Sequence, residues 1–175
     1  NRKNIYAAPL INWKLIMDSI SILHDEWKEV FPYEFMKLPG VEADDIIATL
    51  AMREWPRGGL IVSSDQDFNQ LLDIRGINQY TPGTNEFVHI ADPYQKFLVK
   101  VARGDKVDGI PNVLSDDNVF MIGKRQTVLT DARLQKVLNE PRSPEIERNW
   151  QRNMQLMDLK KLPIVVEQKV TKLKT

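Results

Sequence analysis

The chain has 175 residues and a mass of 20.3 kDa, with 24 Lys+Arg balanced by 24 Asp+Glu. Its 42% hydrophobic and 27% charged residues exclude wholesale disorder. No apolar run approaches the ~20 residues that span a bilayer, so no membrane segment is expected. The lack of cysteine excludes a disulfide scaffold, a thiolate metal site and a Cys nucleophile, and is compatible with a reducing cytoplasm. Residues 1–100 hold 10 basic and 14 acidic side chains and residues 101–175 hold 14 and 10, a division that by itself is ordinary surface scatter.

The opening Asn1-Arg2-Lys3-Asn4 has neither an initiator Met nor an apolar signal core, and the expectation is a segment of a longer polypeptide. Trp13, Ile16, Ile20, Leu23, Trp27 and Val30 then recur at spacings of three and four. That pattern predicts an amphipathic helix capped by Asn12, with Trp13 and Trp27 in the core. Phe35–Leu38 reads as a short strand and Ala43–Glu54 as a second helix. Leu60–Ser64 reads as a buried strand of a parallel sheet. Ile77–Tyr80 and Phe87–Ile90 flank a six-residue loop as a hairpin. Asp92-Pro93 is a cap and first-turn pair opening a helix to about Arg103. Gly104–Ser115 reads as loop, Leu129–Asn139 and Glu145–Asp158 as helices, and Lys160–Thr175 as a basic tail interrupted by Pro163. Strands alternating with helices predict an α/β fold followed by a helical region.

Three acidic clusters stand out: Glu42-Ala43-Asp44-Asp45 at a helix start, Asp65-Gln66-Asp67 after a buried strand, and Asp105 with Asp108 in the loop after a helix. Each has a structural explanation, as a helix cap, a strand-end turn or loop chemistry. Ligand sites in α/β sheets lie outside the carboxyl ends of the strands. If the three clusters converge there, seven carboxylates need a counter-charge. With no cysteine, and with His24 and His89 remote from the clusters, a hard oxygen-bound cation such as Mg2+ suits better than zinc. Two such ions suit phosphodiester hydrolysis by water, with nucleic acid as the phosphate source.

At Gly40–Asp45, Ser63–Phe68 and Gly104–Pro111 the sequence resembles the 5′-nuclease family of flap endonucleases and polymerase I 5′-exonuclease domains. At Ser115-Asp116-Asp117 and Lys124-Arg125-Gln126 the likeness is to its T-even phage ribonuclease H branch. The resemblance implies a PIN-like core with a mostly parallel sheet over residues 1–103. A helical DNA-binding region with a helix–three-turn–helix-like element would span residues 104–175. It implies that Asp44 and Asp65, with Glu42 close by, hold one Mg2+ or Mn2+ ion, that Asp67 and Asp108 hold a second, and that Asp45 and Asp105 are outer members of the cluster. Catalysis would then rest on Asp44, Asp65, Asp67 and Asp108, and DNA contacts on Arg2, Lys3, Lys106, Lys124 and Arg125. The implied substrates are branched or nicked DNA and RNA–DNA hybrid in the cytoplasm of an infected host. A single-stranded-DNA-binding protein or a sliding clamp is the implied partner.

The resemblance also implies two further core strands bearing aspartates, neither of which is in this sequence, and a basic arch whose tail Asn1-Arg2-Lys3-Asn4 resembles. Three functions therefore stand open: a primer- and flap-removing nuclease, a catalytically incomplete DNA-binding fragment, or one part of a split nuclease completed by a separate N-terminal polypeptide. With those strands missing, these residues alone are expected to bind metal and branched DNA weakly and to cut a 5′ flap poorly or not at all.

Overall fold

The computed structural model describes residues 11–55 and 57–172. Arg2 and Lys3 lie outside them. The chain divides into two compact units, residues 1–37 and 38–175.

In the first unit α1 (Trp13–Val30) starts where Asn12 accepts a hydrogen bond from the Leu15 amide and ends at Phe31, one residue before Pro32. Helix and cap match the sequence pattern, but the buried stripe does not: no residue of α1 is buried, and Trp13 and Trp27 are 62% and 46% exposed. Periodicity says which face of a helix is apolar. What covers that face is a tertiary matter that periodicity does not give. The strand expected at Phe35–Leu38 is irregular backbone.

The second unit opens with α2 (Ala43–Thr49), which runs on through a π turn at Leu50–Glu54. Three strands follow, β1 (Gly59–Val62), β2 (Ile77–Thr81) and β3 (Glu86–Phe87), in the order β1-β2-β3. β1 and β2 are parallel, with Ile61 opposite Gln79, whereas β2 and β3 are antiparallel. The sheet is thus small and mixed rather than mostly parallel. β3 is shorter than its apolar run because only Tyr80–Phe87 and Thr81–Glu86 pair across the turn. A 3-10 turn at Gln66–Leu71, absent from the periodicity reading, connects β1 to β2.

The helices are α3 (Pro93–Arg103), α4 (Asp131–Asn139), α5 (Pro144–Met157) and α6 (Ile164–Lys172). Asp92, Thr130 and Ser143 cap the first three through side-chain oxygens. α6 forms where the sequence suggested an interrupted tail, because Pro163 precedes the helix instead of breaking it. Residues 104–130 form bends and turns, with one isolated bridge between Asp105 and Ile110.

Two apolar clusters hold the unit together. One joins α2, β1, β2 and the 3-10 turn through Ala48, Ile61, Phe68, Leu71 and Ile77. The other joins α3, α4 and α5 through Phe97, Val101, Val113, Leu134 and Trp150. The side chains that tie them to the site are polar. Asn153 of α5, fully buried, donates to the carbonyls of Val101 (2.8 Å) and Pro111 (2.9 Å). Asn149, one turn earlier, donates to those of Val113 (3.0 Å) and Ser115 (3.2 Å). These bonds satisfy carbonyls that irregular backbone would leave bare in the interior, and they fasten both ends of the Gly104–Pro111 loop.

Candidate metal centre

The strand end comes first. Beyond β1 the Ser63 amide still bonds Tyr80 (3.0 Å), after which the chain turns. Asp65 caps the 3-10 turn by accepting from the Asp67 amide (2.9 Å). Gln79, 1% exposed, donates to the carbonyls of Ser63 (2.9 Å) and Asp65 (2.7 Å) and accepts from Asn69 (2.9 Å). Lys96 of α3 donates to the other end of the Asn69 amide (2.6 Å). A polar chain from α3 to β2, buried at Asn69 and Gln79, therefore fixes the carboxylate-bearing turn.

The loop after α3 supplies the rest. Gly104 has φ +68° and ψ −176°, a conformation open essentially to glycine. The Asp105 carboxylate accepts from the amides of Val107 (2.9 Å) and Asp108 (3.4 Å), and the Ile110 amide bonds back to the Asp105 carbonyl (2.7 Å). The result is a closed loop that presents Asp105 and Asp108 together.

Asp67, Asp105 and Asp108 each bring an oxygen within 4.8 Å of the other two. Asp105 thus sits inside the tight group, although the sequence reading made it an outer member. Asp44 and Asp108 each lie close enough to Asp65 to feel its charge, but neither Asp44 nor Asp65 belongs to the triad. Glu42 is exposed, and the Asp45 carboxylate accepts from the Glu42 amide (3.4 Å), a capping role at the start of α2.

The electrostatics follow the crowding. Burial, then the charges of Asp105 and Asp67, push the Asp108 carboxyl above its ordinary value. Burial and the charges of Asp45 and Asp65 raise Asp44, against the hydrogen bond from the Asp45 amide. Asp105 goes the other way: burial would raise it, but the Val107 and Asp108 amides and Lys100 hold it below the usual carboxylate range. Three hard oxygen donors this close, without nitrogen or sulfur, fit a divalent cation of the Mg2+ or Mn2+ type.

Lys100 is the residue that sequence reasoning missed. From α3 it donates to Asp67 and stands 3.2 Å from Asp105. Lys96, Lys100 and Arg103, spaced four and three along one helix face, were the available signal. Of the cations singled out from sequence, those described are all exposed: Lys106 stands within the Asp105–Asp108 loop, and Lys124 and Arg125 follow just after the turns beyond it. The stretch bearing the last two is anchored at Gln126, which accepts from the Asn112 amide (2.6 Å), while Thr127 accepts from the Asn112 side chain (2.8 Å). Asp117 pairs with Arg148 (3.4 Å) and Arg152 of α5.

An acidic group at the carboxyl end of a parallel strand is the arrangement of a metal-binding α/β domain. Residues 16–100 match the family model described as 5′-3′ exonuclease, N-terminal resolvase-like domain. The ribonuclease H of Enterobacteria phage T4 is 27% identical over 176 residues, covering 93% of this chain and 58% of that protein. Two solved structures share the fold. One is the T5 5′-exonuclease with zinc bound (TM-score 0.61, 21% identical, 98% of this chain and 73% of that one). The other is the bacteriophage T5 flap endonuclease in a pseudo-enzyme–product complex with DNA and metal ions (TM-score 0.60, 20% identical, 98% and 73%). The chain is thus similar to the 5′-3′ exonuclease domain family over residues 16–100 and to the phage ribonuclease H over 93% of its length, and it spans 58% of the length of that curated relative.

Proposed function

We propose that this chain is the metal-binding and DNA-gripping part of a 5′-to-3′ exonuclease and flap endonuclease with ribonuclease H activity, which removes RNA primers and 5′ flaps during phage DNA replication in the host cytoplasm. The observation that carries the reading is the meeting of Asp67, Asp105 and Asp108, two sequence-distant segments, within 4.8 Å. The names of the relatives, a ribonuclease H, an exonuclease and a flap endonuclease, support the reaction class.

Asp67, Asp105 and Asp108 would hold one divalent cation, and Asp44 and Asp65, with Glu42 near, a second. Bound there, two cations would generate a nucleophilic water and neutralise the departing oxygen of a phosphodiester. The chain's own share is positional. The Gln79–Asn69–Lys96 chain holds the Asp65–Asp67 turn, and Asp105 fixes its loop through two amides. Asp45 lends negative charge. Lys106, Lys124 and Arg125, with Arg2 and Lys3, would meet backbone phosphates of branched DNA or hybrid, which fix register without reading bases.

The test is calorimetric titration with Mn2+ beside cleavage of a labelled 5′-flap substrate. The parent is expected to bind Mn2+, and the Asp67→Asn/Asp108→Asn variant to lose that binding together with whatever Mn2+-dependent cleavage the parent shows. Undiminished Mn2+ affinity in the double variant would overturn the reading.

Among the described residues no strand pairs with the outer edge of β1, and Leu60 and Val62 are 50% and 60% exposed, which favours a second reading, a split nuclease in which another polypeptide adds a strand beside β1. Supplying such a strand-bearing segment should then raise metal-dependent cutting, and an unchanged rate would exclude it.

A further inference from the structure

α3 carries three cations, Lys96, Lys100 and Arg103, spaced four and three apart, and they do not share one role. Lys96 is committed to Asn69 (2.6 Å) and Arg103 to Asp131 of α4 (3.1 Å). Lys100 alone sits on the carboxylates: its ammonium donates to Asp67 and lies 3.2 Å from Asp105, with its side chain 28% exposed. These are two of the three residues whose oxygens converge within 4.8 Å. They belong to different segments, and Lys100 bridges them.

Resting on the metal reading above, we propose that Lys100 is an internal counter-cation of this carboxylate group, which holds Asp67 and Asp105 together and which a divalent ion displaces on entering. A hard cation takes its oxygens at ~2.0–2.6 Å. The ammonium engages Oδ1 of Asp67 and Oδ2 of Asp105, and Oδ1 of Asp105 already accepts from the Val107 and Asp108 amides, so at Asp105 the ion and the ammonium compete for one oxygen. Two cations on the same oxygens would stand about as near each other as each stands to its ligands, and their repulsion opposes sharing. Lys100 has somewhere to go: its flexible four-carbon stem borders a cavity of about 510 Å³ lined also by Ser64, Gln66, Phe97 and Val99. Lys100 is therefore a positioning residue that acts through Asp67 and Asp105. It lets the acidic turn and loop fold against each other, and it sets a threshold that the metal must exceed.

The opposite role, in which Lys100 only braces the ligands, gives the opposite sign. If Lys100 competes, its removal strengthens metal binding; if it braces, removal weakens it. The experiment is Mn2+ titration of the whole chain by calorimetry, with thermal melting alongside. Lys100→Met should melt lower than the parent without added metal. It should bind Mn2+ roughly tenfold more tightly, which corresponds to about 1.4 kcal/mol, the scale of one charge-assisted hydrogen bond. Lys100→Arg, which keeps the charge, should bind Mn2+ no more tightly than the parent. In the parent itself, the ε-carbon NMR signal of Lys100 should move toward that of a solvated lysine as Ca2+ is added, so the inference stays testable if Lys100→Met does not fold. Equal or weaker Mn2+ binding by Lys100→Met, or a Lys100 signal that Ca2+ leaves in place, overturns the displacement. A parent chain that binds no Mn2+ at all overturns the metal reading beneath it.

Discussion

The closed loop that carries Asp105 and Asp108 can be tested with two glycines of nearly equal φ. Gly104 has φ +68° and Gly109 has φ +76°, so an alanine at either pays for a left-handed backbone. They differ in their surroundings. A Cβ on Gly104 would stand 2.4 Å from the Ile110 carbonyl oxygen and 2.6 Å from the carbonyl carbon and oxygen of Pro111, whereas one on Gly109 would meet nothing within 4 Å. Gly109→Ala should therefore cost about 1–2 kcal/mol, the ordinary left-handed penalty. Gly104→Ala should cost that or more for its glycine-only conformation, plus about 1–3 kcal/mol for forcing backbone apart. The obstructing atoms are carbonyls and cannot rotate away. Separating them breaks the bond between the Ile110 amide and the Asp105 carbonyl (2.7 Å), so Asp105 and Asp108 part as well. Urea denaturation at a common m-value gives the stabilities, and Mn2+ titration gives the site. Gly104→Ala should be the less stable by well over 1 kcal/mol and should lose Mn2+ affinity, with Gly109→Ala close to the parent in metal binding. Stabilities equal to within ~0.5 kcal/mol would refute the closed-loop account.

Asn153→Ala should destabilise the chain by about 2–4 kcal/mol, because it strips the Val101 carbonyl of a buried donor while Arg152 still serves Pro111 (3.1 Å); urea midpoints measure it, and a cost below ~1 kcal/mol would contradict the buried-bond account. Glu147 is held below its ordinary value by hydrogen bonds from Gln151 and Arg142. Its contribution is therefore fully present above pH 4.5, the unperturbed value, and is lost as pH falls through the lowered one. Glu147→Gln should remove that part of the acid destabilisation, by a small margin given 43% side-chain exposure, and an unaltered acid limb in pH-dependent melting would count against it. Replacing Lys124 and Arg125 by Ala should flatten the salt dependence of flap-DNA affinity by ~0.9 per lost phosphate contact and leave base preference alone. Parallel salt slopes in filter binding would remove them from the interface.

Much of the helical part was legible because its signals are local. Asp92-Pro93 opens α3 and Gly104 closes it, and α4 and α5 fall within two residues of their patterns. The acidic site was legible as a topological expectation, since Asp65 and Asp67 follow a strand and Asp105 follows a helix. What escaped was long-range. Lys100 looks like any cation on an amphipathic helix until a residue 33 positions away, Asp67, is placed against it. Asn149 and Asn153 read as the polar face of α5 and are instead its buried anchors. The Gln66–Leu71 turn is too short and polar for a periodicity to exist, and strand propensity at Phe35–Leu38 finds no pairing partner among the described residues. α1 shows the converse: its period was read correctly and its burial was not, because amphipathicity describes one surface and burial needs two.

Anomalous diffraction from Mn2+-soaked crystals of this chain tests the central claim most directly. The account places manganese density among the side chains of Asp67, Asp105 and Asp108, with the Lys100 ammonium drawn back from both aspartates. Manganese found only at other acidic pairs, such as Asp116 and Asp117, with the triad still bridged by Lys100, would contradict it.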